Sequence, residues 1–395
     1  MEAFYRTHKY LVTHLGTPVR RGLMDEVDWS QRLIGIKGCR EIGKTTFLLS
    51  YAREYFAPDG RECLYVNLNN FIFTERTLTD FAGEFYAAGG KVLLIDQIFK
   101  YPNWSRELRY CYDHYTNLRI VFTGSSVMRI KEENHEVGGI VAPYYLRGFS
   151  FREYLNLKTG LDLQPFSFDM LMRDRYLIAR DICDQVNPGE YFHDYLHHGF
   201  YPFFLEKRNY SENLLKMMNM TLEVDVLYIR QIEQRYLPKL RRLLYLISQN
   251  EPCTLNISQL SKDIGTSRAT VMNYLKYLKD ARMITLLYPR GEEFPQKPVY
   301  AYLYNPNLLH VMNRQTQDER TVNEAFFFNQ LLKDNRVNAY DRHNSFLVND
   351  RYLFRVSYPE ARWKVSPDFY YAVDEVEPPL DEPNCIPLWM FGFLY

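Results

Sequence analysis

The chain has 395 residues, more than one ordinary core holds, so several domains are expected. Hydrophobic residues make up 46% and charged residues 24%, which excludes a disordered or collagen-like polypeptide. Lys+Arg and Asp+Glu both total 48, so net charge draws the chain to neither nucleic acid nor membrane, and any DNA contact has to come from a local patch. The six cysteines form no CxxC pair, which gives a zinc site or a disulfide framework no support. The start, MEAFYRTHKY, has no apolar signal core and no run reaches membrane-spanning length, so a cytoplasmic location is the expectation.

In chain order, RLIGIKG (32–38) predicts a short buried strand ending in a glycine. From Lys44 onward Phe47, Leu48, Tyr51 and Ala52 recur at helical spacing. A Pro58-Asp59-Gly60 turn follows, then strands at CLYVNLN (63–69), KVLLID (91–96) and LRIVFTGSS (118–126). NWSRELRYCYDHY between the last two predicts a helix capped near Ser105. Strands alternating with helices predict an α/β fold with a parallel sheet flanked by helices.

Beyond about residue 150 the pattern turns helical, interrupted by HHGFYPFF (197–204). From about 238 come a helix (LPKLRRLLYLIS), a second (SQLSKDIG), a turn, a third (RATVMNYLKYLKDARMI) and two apolar strands around RGEEFPQK. That order predicts a winged helix. A last segment holds the helix NEAFFFNQLLK and strand-like SFLVND and RYLFRVS. The expected organisation is a P-loop domain with an N-terminal arm at 1–155, a helical lid-like region at 156–236, a winged helix at 237–305 and a small α/β domain at 306–395.

Gly38 to Thr45, GCREIGKT, fits G-x-x-x-x-G-K-[ST] in full between a predicted strand and a predicted helix. Gly38 and Gly43 let the backbone wrap so that the N–H groups of Cys39, Arg40, Glu41, Ile42, Lys44, Thr45 and Thr46 turn toward a phosphate chain. Lys44 is placed to reach the β- and γ-phosphates, and Thr45 offers a hydroxyl to Mg²⁺. Asp96, ending the apolar run Val92-Leu93-Leu94-Ile95, is the candidate for holding a magnesium-bound water. Thr123 and Ser125 of FTGSS are candidates for sensing the γ-phosphate at the next strand tip. ATP and Mg²⁺ are therefore the expected cofactors.

With these motifs in place the chain resembles the AAA-type (archaeal-ATPase-like) P-loop ATPases of Bacteroidetes and archaea. Those proteins carry a central winged helix and a C-terminal domain likened to restriction endonucleases. MDEVDWSQRLIGIKG, KYPNWSRELR, VFTGSS, LRGFSFREYLNL, HHGFYPFF and IPLWMFGFLY carry the resemblance over nearly the whole chain. It implies ATP binding and ATPase activity.

Three departures set this chain apart. Where the family has an Asp-Glu pair at the end of the third strand, Gln97 follows Asp96, and Phe99 stands for a histidine. Two arginines that the family places farther on fall at Gly139 and Ile140. In the C-terminal segment, Ser345, Arg355 and Pro359 stand where a nuclease-like Asp, Glu and Lys are expected, so no two-carboxylate metal site can be built from them. A neutral amide is a very poor proton acceptor, and general-base assistance is worth about 10²- to 10⁴-fold. The resemblance thus predicts a catalytically degenerate member, binding ATP–Mg²⁺ and hydrolysing it slowly or not at all.

Two alternatives stand beside that expectation. One is a competent ATPase with a substitute base. The other is a DNA-binding regulator acting through the third helix of the winged-helix pattern, where Arg268, Asn273, Lys276 and Lys279 suit phosphate and base-edge contacts. A protein partner at the same surface is the competing expectation. His197-His198 carries no metal expectation, because adjacent helical side chains diverge.

Overall fold

The computed structural model describes residues 1–16, 19–206, 209–249, 255–312, 319–340, 345–357, 366–379 and 382–395. The chain divides into two compact units, Met1–Arg147 and Gly148–Tyr395.

The first unit is a parallel sheet of five strands, β1 (Leu33–Gly38), β2 (Cys63–Asn67), β3 (Val92–Asp96), β4 (Arg119–Ser125) and β5 (Ala142–Tyr145), in the spatial order β2-β3-β4-β1-β5. Its helices are α1 (Glu2–Thr13), α2 (Leu23–Glu26), α3 (Lys44–Tyr55), α4 (Leu78–Ala87), α5 (Trp104–His114) and α6 (His135–Gly138). The α/β expectation is met, and β4 lies between the phosphate-loop strand β1 and the aspartate strand β3. Strands β1, β3 and β4 are covered on both faces, which is why they read as continuous apolar runs instead of alternating ones.

Helix α5 begins one residue before the predicted cap. Asn103 is its N-cap, in a left-handed conformation, and Ser105 lies inside the first turn. Helix α4 escaped the periodicity reading although Leu78, Phe81, Ala82 and Phe85 form its buried face and the Thr77 side chain caps it. Helix α1 lies along β2, the sheet's edge strand. There the buried ring of His8 accepts the outward N–H of Tyr65 at Nδ1 (3.0 Å), pairing an edge amide that has no strand to bond.

The second unit opens with α7 (Phe151–Thr159), which starts at a Ser150–Glu153 capping box. It continues through α8 (Phe168–Cys183), α9 (Gly189–His198) and α10 (Tyr210–Met220), the last running through a π-helical stretch, Thr221–Val226, into α11 (Leu227–Ile229). Three helices follow, α12 (Leu237–Gln249), α13 (Ile257–Asp263) and α14 (Arg268–Asp280), then the antiparallel ribbon β6 (Ile284–Leu287) and β7 (Tyr300–Leu303). Helices α15 (Pro306–Met312) and α16 (Glu319–Leu331) lead to a mixed sheet. Its strands are β8 (Val337–Ala339), β9 (Phe346–Val348), β10 (Tyr352–Val356), β11 (Tyr370–Val373) and β12 (Cys385–Pro387), side by side in reverse chain order.

The apolar end of the chain is core. Trp389, Met390, Phe391 and Phe393 are buried, with the Phe391 ring 4.9 Å from Phe327 of α16. Ser345 is fully buried beside β9 and accepts a hydrogen bond from Arg355 Nε of β10 (3.1 Å), so the two residues that the resemblance set against a nuclease-like Asp and Glu are paired with each other. Pro359, the third, lies outside the described residues.

Candidate nucleotide site

β1 delivers the chain into the loop at Gly38, and α3 leaves it at Lys44. A Cβ on Gly38 would sit 2.5 Å from the carbonyl oxygen of Leu146, so no larger residue fits while that segment runs past the loop. Gly43 has φ +92°, a left-handed turn that glycine takes without strain, and it aims the first N–H groups of α3 into the loop. Glu41 also has positive φ and, like Thr45 and Thr46, is exposed; Cys39 and Ile42 are buried beneath the loop. Arg40 is half-buried. Lys44 turns its ammonium back onto the loop's own carbonyls, Gly38 O at 3.1 Å and Cys39 O at 2.6 Å. The loop is braced from outside by Arg21, a buried residue that donates to Ile42 O (3.4 Å) and to Arg147 O (2.7 Å).

Asp96 ends β3 with its carboxylate only 1% exposed, gathered among hydroxyl donors. Thr45 Oγ1 donates to Oδ2 at 2.7 Å, Tyr65 OH donates to the same oxygen at 2.9 Å, and Thr123 Oγ1 donates to Oδ1. Burial first, then the Asp96 charge, pushes the Tyr65 phenol above its ordinary range, so it stays protonated and acts as a donor. Thr123 also accepts the Gln97 N–H (2.9 Å). Gln97 itself has φ +61°, is half-buried, and takes a hydrogen bond on Oε1 from Asn69 Nδ2 at 2.9 Å.

The structure therefore brings Thr45, Asp96, Gln97 and Thr123 together with the loop. Ser125, paired in register with Gly38, is buried and accepts the Val127 N–H at 3.4 Å. Thr123 is committed to Asp96 and Gln97. Ser126, one residue past β4, is buried with a hydroxyl that has no hydrogen-bond partner among the described residues. Sequence reasoning missed Tyr65, Asn69, Arg21 and Ser126. Tyr65 and Asn69 lay in the predicted strand 63–69, and only Ser126 lay inside a stretch singled out for phosphate sensing.

The donor set suits a hard cation and a polyphosphate. A hydroxyl and a carboxylate oxygen stand 2.7 Å apart at the foot of a glycine-lined loop that opens onto a helix N-terminus. Thr45 and Asp96 are the residues that would hold Mg²⁺, Asp96 through water.

On α14, Val271, Leu275 and Leu278 are fully buried while Arg268 and Asn273 are exposed. Lys276 and Lys279 are half-buried, their ammonium groups over the rings of Phe294 (4.6 Å) and Tyr288 (5.6 Å). His197 stacks on His310 of α15 with ring centroids 3.5 Å apart, and His198 lies 3.4 Å from Asp194. Among the described residues no group of three or more His, Cys, Asp or Glu is placed to hold a metal, and no helix is long and apolar enough to cross a membrane.

A five-stranded parallel sheet with β4 inserted between the phosphate-loop and aspartate strands defines a P-loop nucleotide-binding fold of the AAA type. The family profile described as "AAA domain" (AAA_14) matches residues 30–155, so this part of the chain is an AAA domain. A second profile, a domain of unknown function (DUF8612), matches residues 189–319. Two uncharacterized proteins of Methanocaldococcus jannaschii are similar to the chain. MJ1637 is 24% identical over 277 residues, 66% of this chain and 58% of that one; MJ1544 is 25% identical over 270 residues, 64% and 55%. The chain thus spans little more than half the length of these relatives.

Among solved structures, the Aeropyrum pernix ORC1 protein in complex with DNA is similar at TM-score 0.32 and 12% identity, covering 82% of this chain and 91% of that one. Domain III of the Thermotoga maritima replication initiation protein DnaA is similar at TM-score 0.24 and 17% identity, covering 47% and 85%. Caenorhabditis elegans PCH-2 is similar at TM-score 0.24 and 14% identity, covering 70% and 66%. These likenesses are too distant to bear on activity.

Proposed function

We propose that this protein binds ATP–Mg²⁺ in the AAA domain, turns it over slowly or not at all, and uses nucleotide as a conformational ligand for its second unit. The observation that carries the proposal is the contrast at the end of β3. Asp96 is held by hydroxyl donors and lies against Thr45, whereas the next side chain is an amide already engaged with Asn69. Binding needs the loop, Lys44, Thr45 and Asp96, and all four are assembled. Hydrolysis needs a group that polarises water, and Gln97 brings neither charge nor basicity to that place. Gly139 and Ile140, where the resemblance puts arginines, bring no charge for the transition state either.

Mg²⁺ would supply charge neutralisation for the phosphates. The chain's own groups do the rest: Lys44 leaves the Gly38 and Cys39 carbonyls for a phosphate oxygen, the loop N–H groups orient the chain of phosphates, and Thr123 keeps the Gln97 backbone in place. Calorimetric titration of ATP and ADP into purified protein, with phosphate release measured on the same sample, tests the proposal. Tight, Lys44-dependent binding with turnover far below one per minute is expected. Turnover at an ordinary ATPase rate that Lys44→Ala abolishes refutes it.

DNA binding through α14 is the second reading, favoured by the exposure of Arg268 at the helix start and of Asn273 in its second turn. The half-buried Lys276 and Lys279, engaged with aromatic rings, narrow the available basic surface. A salt-dependent shift of duplex DNA that Arg268→Ala weakens supports this reading, and no binding at low salt removes it.

A further inference from the structure

The Asp96 carboxylate receives two hydrogen bonds from hydroxyls that nucleotide sites of this kind use routinely, those of Thr45 and Thr123. The third comes from elsewhere. Tyr65 lies on β2, the strand at the edge of the sheet, in register with Leu94 on β3. Its phenol reaches Oδ2, the same oxygen that Thr45 touches. Its backbone N–H points the other way, out of the sheet, and ends on Nδ1 of His8. His8 is 1% exposed and belongs to α1, which covers that edge. An acceptor Nδ1 requires the neutral ring with its proton on Nε2. A continuous chain of contacts thus runs from α1 through the edge strand to the carboxylate.

We infer that Tyr65 is a positioning residue for the metal-side carboxylate, and that α1 is part of the nucleotide site through the His8–Tyr65 hydrogen bond. The inference rests on the proposed binding of ATP–Mg²⁺. Thr45 would meet the cation through an oxygen lone pair while its O–H still donates to Oδ2, so its place would follow the cation. The Tyr65 phenol is the donor to that oxygen that does not itself touch the cation. A carboxylate held on both oxygens, by Thr123 on one and Tyr65 on the other, cannot rotate about its Cβ–Cγ bond. Its free lone pairs therefore stay aimed where the cation's water shell has to be. With Tyr65 gone, Oδ2 keeps only the Thr45 donor, the one the cation would itself pull on. Partners of this kind, one shell outside the metal, are typically worth about 10- to 100-fold in metal affinity. The edge position explains why α1 matters. An edge strand has no neighbour on its outer side, so without the His8 acceptor the Tyr65 backbone is tied on one side only.

The test is the gain in nucleotide affinity on adding Mg²⁺, measured with a fluorescent ATP analogue in EDTA and at increasing free Mg²⁺, on the full chain. Tyr65→Phe is expected to leave affinity in EDTA unchanged and to cut the Mg²⁺-dependent gain about tenfold. His8→Leu is expected to cut the gain in the same direction, and His8→Asn, which offers an acceptor where Nδ1 stood, to restore most of it. A merely structural role lowers affinity equally with and without Mg²⁺, or lowers only the unfolding temperature. Either result, or an unchanged Mg²⁺ gain in Tyr65→Phe, overturns the inference while leaving the proposed function intact. Failure of the unaltered protein to bind nucleotide under any condition removes both.

Discussion

Replacing Gln97 by glutamate puts the proposed function to its sharpest test, because the site is otherwise built for it. The backbone at 97 is fixed from β4 by Thr123, and the side chain is fixed by Asn69 in the turn after β2, whose amide donates to Oε1 at 2.9 Å. Glutamate is nearly isosteric, accepts the same bond, and needs no neighbour to move. The Asn69 donor lowers its basicity somewhat without removing its charge. General-base assistance of about 10²- to 10⁴-fold sets the scale, and a base weakened by one hydrogen bond belongs near the lower end, so about a hundredfold rise in turnover is expected. The absent arginines remain uncorrected, and a finger of that kind is worth about 10³- to 10⁵-fold in GTPases. Gln97→Glu should therefore be faster than the parent and still slow. The assay is phosphate release at saturating ATP and excess Mg²⁺, with Gln97→Glu/Lys44→Ala as the background control. Unchanged turnover with unchanged ATP affinity would refute the reasoning, and would place the chemistry, or its loss, outside residue 97.

Further outcomes follow from the geometry. Gly38→Ala drives a methyl to within 2.5 Å of Leu146 O, a segment tied to Lys37 O by its own N–H (2.9 Å); the strain of about 1–3 kcal/mol is expected to lower nucleotide affinity at least tenfold in titrations, and normal affinity would contradict the loop geometry. Burial holds the His8 imidazole down at about 4 against 6.5 unfolded, so the unfolded chain binds more protons between those values. Its contribution to stability is complete above pH 6.5 and lost as pH falls toward 4, by up to about 3 kcal/mol; denaturant titrations at pH 7 and pH 5 should show the loss, and His8→Leu should flatten it. Phe391→Ala removes a fully buried ring that meets Phe327 and Phe354, at a cost of about 3–5 kcal/mol to the second unit, read from its urea midpoint; a cost under 1 kcal/mol would show that the chain end does not pack as described.

What the sequence disclosed here was local and contiguous. The phosphate loop is a single stretch of eight residues, Gly38 to Thr45, whose spacing carries its own physics, and the four apolar residues before Asp96 announce a strand buried on both faces. Helix α4 was legible in principle, through Thr77 and the 78, 81, 82, 85 spacing. Strands β8, β11 and β12, three or four residues each, are too short to carry a period. Tyr65 and His8 had no signal. One is a tyrosine in an apolar strand and the other a histidine on an amphipathic helix, and their partners lie 31 and 57 residues away.

That asymmetry bears on how the protein works under the proposed function. Every group described as touching Asp96 or Gln97 through its side chain is a neutral hydroxyl or amide: Thr45, Tyr65, Thr123 and Asn69. Such a shell fixes the carboxylate without adding a basic group of its own. A nucleotide that is held and not consumed acts as an equilibrium ligand, and it can shift a conformational balance only by the difference in its affinity for the two states. Irreversible turnover then cannot reset the protein. The reset falls to exchange of ATP for ADP or to loss of Mg²⁺, and both act where Thr45 and Asp96 meet. The contacts that set the strength of that junction, Tyr65 and the helix behind it, thereby set how long the bound state lasts.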